Sequence, residues 1–472
     1  MPRLLLALLL AGALAAPTAA HASAALETGI ADDRLLFGDP DAAAAAVGEW
    51  SAAGVDIVRI HARWSSIAPD RDAVVPPREF HPANPGDPRY DWAALDRAVR
   101  LVRGAGLRVM LAITGPGPVW SSADPSRHDG RFKPSPAHFR AFATAVATRY
   151  GADVDRYLIW NEPNQPLWLT PQRFEGRPYS PHLYRELVNA AVPAVHAADP
   201  GSEVVIGALA PSGSDGHTAN APVRPLAFLR GLACVDSRYR ALRSGRCAGF
   251  LAPAADGFSL HPHGIRLAPD AHARSRDDAP LGDLARFEAV LDRLTDARRL
   301  RVTAPTRHFR LYLTEFAYQT NPPDRYLGVA PSTQAAWLVR GMQRAWSDPR
   351  VVNLSWYVWR DEPLGRNGSG WQSGLFYADG RPKPAFAAFQ LPFAATTTRV
   401  WGQVRPGTTH TVAVEARSPR GAYREIASLE TDARGSFAAG VRAPSWARYV
   451  RARVVDNTAG AGPISLPVRV RA

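Results

Sequence analysis

The chain has 472 residues, of which 46% are hydrophobic, and its 56 Lys and Arg against 43 Asp and Glu give a formal charge of +13. That length exceeds one ordinary domain and allows a large core with a smaller satellite. The positive balance would ordinarily raise nucleic acid as a partner, but lysine occurs only at 133 and 383 and the arginines are scattered among Ala and Pro along the chain, which argues against it. Attraction to an acidic polysaccharide or envelope surface stays open.

Residues 1–24 begin MPR, continue as LLLALLLAGALAA and end in small residues, with Ala20-His21-Ala22 and Ala22-Ser23-Ala24 both fitting a small-x-small cleavage site. This reads as a secretory signal peptide and predicts a secreted, extracellular protein. Its apolar run falls short of the ~20 residues that span a bilayer, and no later segment is apolar enough, so no stable membrane insertion is expected. Arg34–Gly38 (RLLFG) reads as a strand and Asp41–Ala53 as an Ala-rich helix. Val55–Ile60 is the next strand, exposing Arg59 and His61 at its end, with Trp64 beyond. The helix over Asp91–Ala105 has Leu95, Val99 and Val102 at helical spacing, and Leu107–Ile113 is a third strand leading to a Gly/Pro loop with Trp120.

Ala137–Tyr150 follows as a helix, then a strand ending in Asn161 and Glu162. Pro181–Ala198 (helix), Glu203–Ala208 (strand), Phe258–His263 (strand), Leu284–Arg298 (helix), Leu311–Phe316 (strand), Ser332–Trp346 (helix), Val352–Trp359 (strand) and Pro384–Phe389 (helix) complete the alternation. Eight strands, each followed by a helix or helical insertion, predict an α/β fold whose parallel sheet closes as a (β/α)8 TIM barrel over residues 25–394. No glycine-rich phosphate fingerprint follows the first strand to support an open, doubly wound sheet. From Thr396 onward short alternating runs separated by Gly, Pro and Asn predict a C-terminal antiparallel β-sandwich of about seven strands over 395–472, similar to immunoglobulin-like or fibronectin type III modules. It either binds sugar or caps the barrel; aromatic candidates are few, Trp401 and Trp446. Cys234 and Cys247 are the two cysteines. In a secreted protein they either close a local disulfide, worth about 3 kcal/mol in the chain-entropy model, or stay free.

Two stretches carry the chemistry. Tyr157–Asn164 (YLIWNEPN) and Leu311–Phe316 (LYLTEF) are apolar runs that each deliver a glutamate, Glu162 and Glu315, where the pattern breaks. In a barrel, functional side chains lie at the carboxyl ends of strands. Two acids placed so are what glycosidic bond cleavage needs, one to protonate the leaving oxygen and one to attack or to activate water. His261 and His263 end the sixth strand and either touch substrate or are structural. Trp64, Trp120, Trp168 and Trp371 lie just past strand ends, where they either stack on sugar rings or pack the loops. The site is carboxylate-led and offers no cluster of three zinc ligands, so neither metal nor other cofactor is expected.

With WNEPN at 160–164 and TEF at 314–316, the sequence resembles the clan of retaining glycoside hydrolases on TIM barrels (clan GH-A), in its cellulase-like and family 39-like branches. Arg59, the HPH at 261–263 and GLFYADGRPKPAFAAF at 374–389 extend the likeness over much of residues 30–390. The resemblance implies Glu162 as general acid/base, Glu315 as nucleophile, Asn161 on the sugar 2-hydroxyl, Arg59 orienting Glu315, and Trp359 flooring the sugar subsite. One position departs: where many members have a Tyr that contacts the nucleophile, this chain has His263. The implied activity is hydrolysis of an oligo- or polysaccharide through a glycosyl-enzyme intermediate. The alternatives are a noncatalytic carbohydrate-binding or envelope protein on the same scaffold, and a transglycosylase.

Overall fold

The computed structural model describes residues 26–365, 370–456 and 462–470. The signal-peptide reading of 1–24 lies outside the described residues. Eight parallel strands close a barrel: β1 Glu27–Ala31, β2 Ile57–Arg63, β3 Arg108–Thr114, β4 Arg156–Ile159, β5 Glu203–Leu209, β6 Gly257–Leu260, β7 Arg310–Phe316 and β8 Val351–Tyr357. The order around the barrel follows the chain, and β1 closes it against β8 with Gly29 opposite Ser355. The principal helices are α1 Pro40–Ala52, α2 Ala93–Gly104, α3 Pro136–Tyr150, α4 Ser180–Ala198, α5 Pro225–Leu232, α6 Leu284–Asp296, α7 Pro331–Ser347 and α8 Pro384–Gln390.

The sequence specifies these elements locally. Asp39 caps α1 by accepting from the Ala42 N–H at 2.9 Å, and Pro40 occupies the first turn, where a missing N–H costs nothing. In α2, Leu95, Ala98, Val99 and Val102 form the buried stripe that the 3.6-residue period dictates. Outward strand residues such as Val58, Ile60, Leu111 and Ile159 pack beneath the helices, while Ile57, Met110, Leu158, Val205, Tyr312 and Val352 fill the lumen. Its amino-terminal end is plugged by polar groups: Arg156 binds Glu27 and, at 3.0 Å, Glu203, which also accepts from the Tyr312 hydroxyl.

One expected strand is in the wrong place. Residues 34–38 do not form β1; Asp33–Leu36 is a single helical turn whose N-cap, Asp32, accepts from the Leu35 N–H. The strand precedes it, in ETGIA, where the pattern is weak because Glu27 feeds the polar plug and Gly29 is pressed against Ser355, a Cβ there falling 2.1 Å from its Oγ.

Among the described residues, seven strands form the C-terminal unit in two antiparallel sheets. One holds β9 Phe393–Ala395, β10 Val400–Gln403 and β13 Ser436–Ala439; the other orders β12 Arg424–Glu430, β11 Thr411–Arg417, β14 Tyr449–Val454 and β15 Val468–Arg469. Their inner faces share a core of Val412, Val414, Ala416, Phe437, Val450 and Ala452. The seam with the barrel is closed by Trp401 against Trp346, at 5.8 Å, and by the buried Arg405, which donates to the Phe389 carbonyl and to Gln403 Oε1. Cys234 and Cys247 are joined as a disulfide, with Cα atoms 5.6 Å apart.

Lysine 383 pins the loop after β8. Its Nζ is fully buried and donates to Asp361 Oδ1 at 2.7 Å, Thr320 Oγ1 at 2.8 Å and the Gln372 carbonyl at 2.9 Å, joining the loops after β7 and β8. Burial pushes the amine down and the Asp361 carboxyl up, against their mutual attraction. Lys383→Met therefore leaves an uncompensated buried carboxylate, and we expect a loss of about 3–5 kcal/mol in urea unfolding. Replacing both partners by apolar residues of similar volume restores much of that loss; a single variant as stable as the parent contradicts the pin.

Candidate active site

Three backbone irregularities aim the central side chains. In β7 the register against β8 runs Leu313 opposite Leu354, then Phe316 opposite Trp356, so one extra residue is inserted. Such a bulge re-aims a side chain. Thr314 already faces the lumen, and without the bulge its neighbour Glu315 would face the helices; with it, Glu315 turns inward and Phe316 packs in the outer core. At the end of β4, Trp160 takes φ +69° and Glu162 φ +38°, left-handed conformations that cost about 1–2 kcal/mol for a non-glycine residue. Trp160 is thereby buried against Gly115, where a Cβ would come within 2.4 Å of its ring, and Asn161 and Glu162 face the mouth. The Glu162 N–H donates to the Ala208 carbonyl at 3.0 Å, tying the ends of β4 and β5 together.

The two glutamates meet. A carboxylate oxygen of Glu162, one of Glu315 and a ring nitrogen of His261 all lie within 4.8 Å of one another. Arg59, from β2 and 1% exposed, forms an ion pair with Glu315 Oε1 at 2.8 Å and donates through Nη1 to Asn161 Oδ1 at 3.0 Å and His61 Nε2 at 2.9 Å. On its other side, Glu315 Oε2 is 3.4 Å from His263 Nε2 and 3.6 Å from His261 Nδ1. His261 Nδ1 is also 3.1 Å from Glu162 Oε1 and so faces both carboxylates. That puts a proton on Nδ1, while Nε2 lies 3.0 Å from the Thr314 hydroxyl, itself 2.7 Å from Ser259 Oγ. Burial pushes the Glu315 carboxyl up, but the adjacent His261 and Arg59 charges and the His263 contact hold it well below the usual carboxylate range. Glu315 is therefore anionic across the working pH range, while Glu162, about one-fifth exposed at its side chain, stays in reach of solvent.

The donor set of Glu162, His261 and Glu315 is close enough to hold a cation. The Arg59 guanidinium already supplies positive charge to Glu315 and opposes a second one. Grooves of about 470 Å³ between α3 and α4 and about 410 Å³ at the sandwich edge are lined without any of these residues.

The tryptophans separate into core and rim. Trp359 does not floor the site. It is fully buried, its Nε1 donates to Glu49 Oε2 at 2.7 Å, and it packs on Phe376, Phe386 and Phe389. The reason is Val358, at φ +59°, which breaks the alternation of β8 and sends Trp359 into the helix layer. Tyr357 faces the mouth in its stead, where burial and then the Glu315 charge push its hydroxyl pKa well up. Trp120 is likewise core, edge-on to Trp64 and His138 with its Nε1 bonded to the Pro69 carbonyl, and Trp64 is stacked on Phe142. The rim rings are Trp168, 5.6 Å from His61 with Arg63 over its face, and Trp371, 39% exposed, stacked at 5.9 Å on His263 and edge-on to Tyr357.

Asp33, absent from the sequence expectations, completes the network. Its Oδ2 is 2.5 Å from His61 Nδ1 and its Oδ1 accepts from the His61 N–H at 3.0 Å. His61 thus gives its Nδ1 proton to Asp33 and presents Nε2 as an acceptor to Arg59. Burial pushes the imidazole down, against the Asp33 charge, and keeps it neutral. A correct placement of β1 would have exposed Asp33, because it then follows a strand end. Burial raises Asp33 too, but His61 and Arg59 overrule it and hold the carboxyl at about 2. A depressed folded pKa contributes stability above the unfolded value near 3.8, lost as pH falls toward 2. We expect about 2 kcal/mol of unfolding free energy to disappear over that window through this group. Asp33→Asn should flatten it, and an unchanged acid limb in the variant contradicts the assignment.

No family model and no curated protein matches the sequence. Among solved structures, a family 39 glycoside hydrolase from the gut symbiont Bacteroides cellulosilyticus superposes with a TM-score of 0.50 at 14% identity, covering 88% of this chain and 81% of that one. A glucosidase from Croceicoccus marinus (TM-score 0.46, 14% identity, 84% of this chain and 89% of that one) is less similar in shape. So is a Streptomyces cattleya protein solved with Manβ1-4GlcNAc (0.47, 16% identity, 76% and 78%). At such identities what is shared is architecture: the chain has the (β/α)8 barrel fold seen in the family 39 structure.

Proposed function

We propose that the chain is a secreted glycoside hydrolase of the retaining type, cleaving an oligo- or polysaccharide by double displacement. One observation carries this reading: a carboxylate oxygen of Glu162 and one of Glu315 lie within 4.8 Å of each other at the carboxyl ends of β4 and β7. A retaining enzyme holds its two carboxyl groups about 5–5.5 Å apart, and an inverting one about 6.5–9.5 Å to admit water between them. The apolar leader at 1–24 supports export.

Glu315 is the nucleophile. Arg59 and the two histidines keep it ionised and fix its Oε2 toward the mouth, so it attacks the anomeric carbon as the glycosidic bond breaks. Glu162 donates a proton to the departing oxygen, then removes one from the water that hydrolyses the glycosyl-enzyme ester. Arg59 holds the Asn161 carbonyl oxygen, leaving the amide N–H groups for the sugar 2-hydroxyl. His263 takes the place of a phenol beside the nucleophile, and Trp371, Tyr357 and Trp168 supply faces for sugar rings.

Glu315→Ala should lower kcat by at least about 10⁴-fold and be partly rescued by azide, with an azido-glycoside as product. An unchanged rate removes it as nucleophile, and NMR of the first-formed anomer reads retention directly. Trp371→Ala should raise KM several-fold with the melting temperature unchanged, whereas Trp359→Ala should cost about 3–5 kcal/mol of stability as a core truncation. The reverse pattern would return Trp359 to the pocket.

A further inference from the structure

The sandwich holds a disproportionate share of the charge. Residues 395–472 contain twelve arginines and five carboxylates, a net +7 of the chain's +13. Part of that excess is organised on one sheet face. In β14 the burial alternates strictly: Val450, Ala452 and Val454 enter the core, and Tyr449, Arg451 and Arg453 face out. Their cross-strand partners on the outer side are Arg417, Glu415 and Ala413 of β11, and Arg469 of β15 lies opposite Tyr449. One outer, half-buried face therefore carries Arg417, Arg451, Arg453 and the exposed Arg469 beside two tyrosines.

The way these cations are held is informative. Arg451 lies 3.8 Å over the ring of Tyr423, and Arg417 stands 4.4 Å from Tyr449 and 5.3 Å from Tyr423. Glu415 alone anchors both Arg451, at 2.7 Å, and Arg453, also at 2.7 Å. Glu425, opposite Glu415, and Glu430, opposite Thr411, are the other acids of β12 on this side. Among the described residues, no carboxylate lies within ion-pair distance of Arg417, whose Nη1 donates to the Ser418 and Pro419 carbonyls, or of Arg469. Stacking on aromatic rings orients guanidinium groups without neutralising them and leaves N–H edges to bind anions bidentately.

We propose that this face is a binding site for a linear acidic polysaccharide carrying carboxylates along its chain. The occupant is taken as a glycan, in preference to another polyanion, because of the glycosidase reading of the barrel, and to that extent the proposal rests on it. Uronate carboxylates are planar, so they match the arginine fork, and successive strands present cations at the ~4.8 Å spacing of a sheet, near the length of one sugar unit. Neutral glycans offer these cations nothing, and the tyrosine faces are already occupied by arginine.

The test is affinity electrophoresis and calorimetry of the full chain with polygalacturonate, neutral galactan, heparin and single-stranded DNA. Polygalacturonate should bind at least tenfold tighter than galactan, with affinity falling as salt rises. Arg417→Gln/Arg469→Gln removes two cations that no acid depends on, so it should fold as the parent does and lose at least tenfold in polygalacturonate affinity. Arg417→Lys/Arg469→Lys should lose less than the glutamine pair but not regain the parent affinity. Hydrolysis of small aryl glycosides should be the same in all three proteins. Equal binding of neutral and acidic glycan, heparin affinity no higher than that of galactan, parental affinity in the glutamine variant, or tighter binding of DNA than of polygalacturonate overturns the proposal. Because binding is read without turnover, absence of any hydrolysis with acidic-glycan capture intact would instead overturn the enzymatic reading alone.

Discussion

The contact on which the rest turns is the buried pair between Arg59 and Glu315. Taking both charges out of water costs several kcal/mol, and the arrangement persists only because every neighbour offsets part of that cost. The guanidinium is shared among Glu315, the Asn161 carbonyl oxygen and the neutral His61 nitrogen. His61 is fixed in the accepting form by Asp33, and Glu315 is faced from the far side by His261 and His263. Six residues from β2, β4, β6 and β7 and one from the turn after β1 thus behave as one electrostatic unit, in which a change at the periphery is felt at the carboxylate.

The barrel was legible because its strands are apolar runs of the right length separated by helical periods, and closure follows from counting them. Glu162 and Glu315 were legible for a related reason, as acids at the point where an apolar run breaks. What failed shares a cause. Strand β1 carries Glu27 and Gly29, whose roles depend on distant partners, Arg156 and Ser355, so its own composition hides it. Trp359 was placed in the site by the family resemblance, and nothing local in Ser-Trp-Tyr-Val-Trp signals the left-handed valine that turns it away. The bulge that turns Glu315 inward was equally invisible, since simple alternation from the lumen-facing Tyr312 would point the glutamate outward.

The same lesson applies to the sandwich. Searching the sequence for exposed tryptophans found only Trp401 and Trp446, one of which is sealed into the seam. The face that is chemically distinctive is made from arginines and tyrosines on three strands and a turn, and it exists only once the register of β11 against β14 is known. Scattered arginine in the sequence is therefore a poor guide to scattered charge in space, since pairing can gather residues more than thirty positions apart onto one surface.

The seam built from Trp346, Trp401 and Arg405 leaves little room for one unit to pivot on the other. The sandwich is thereby carried at one set distance and angle from the barrel, as by a jig and not by a tether.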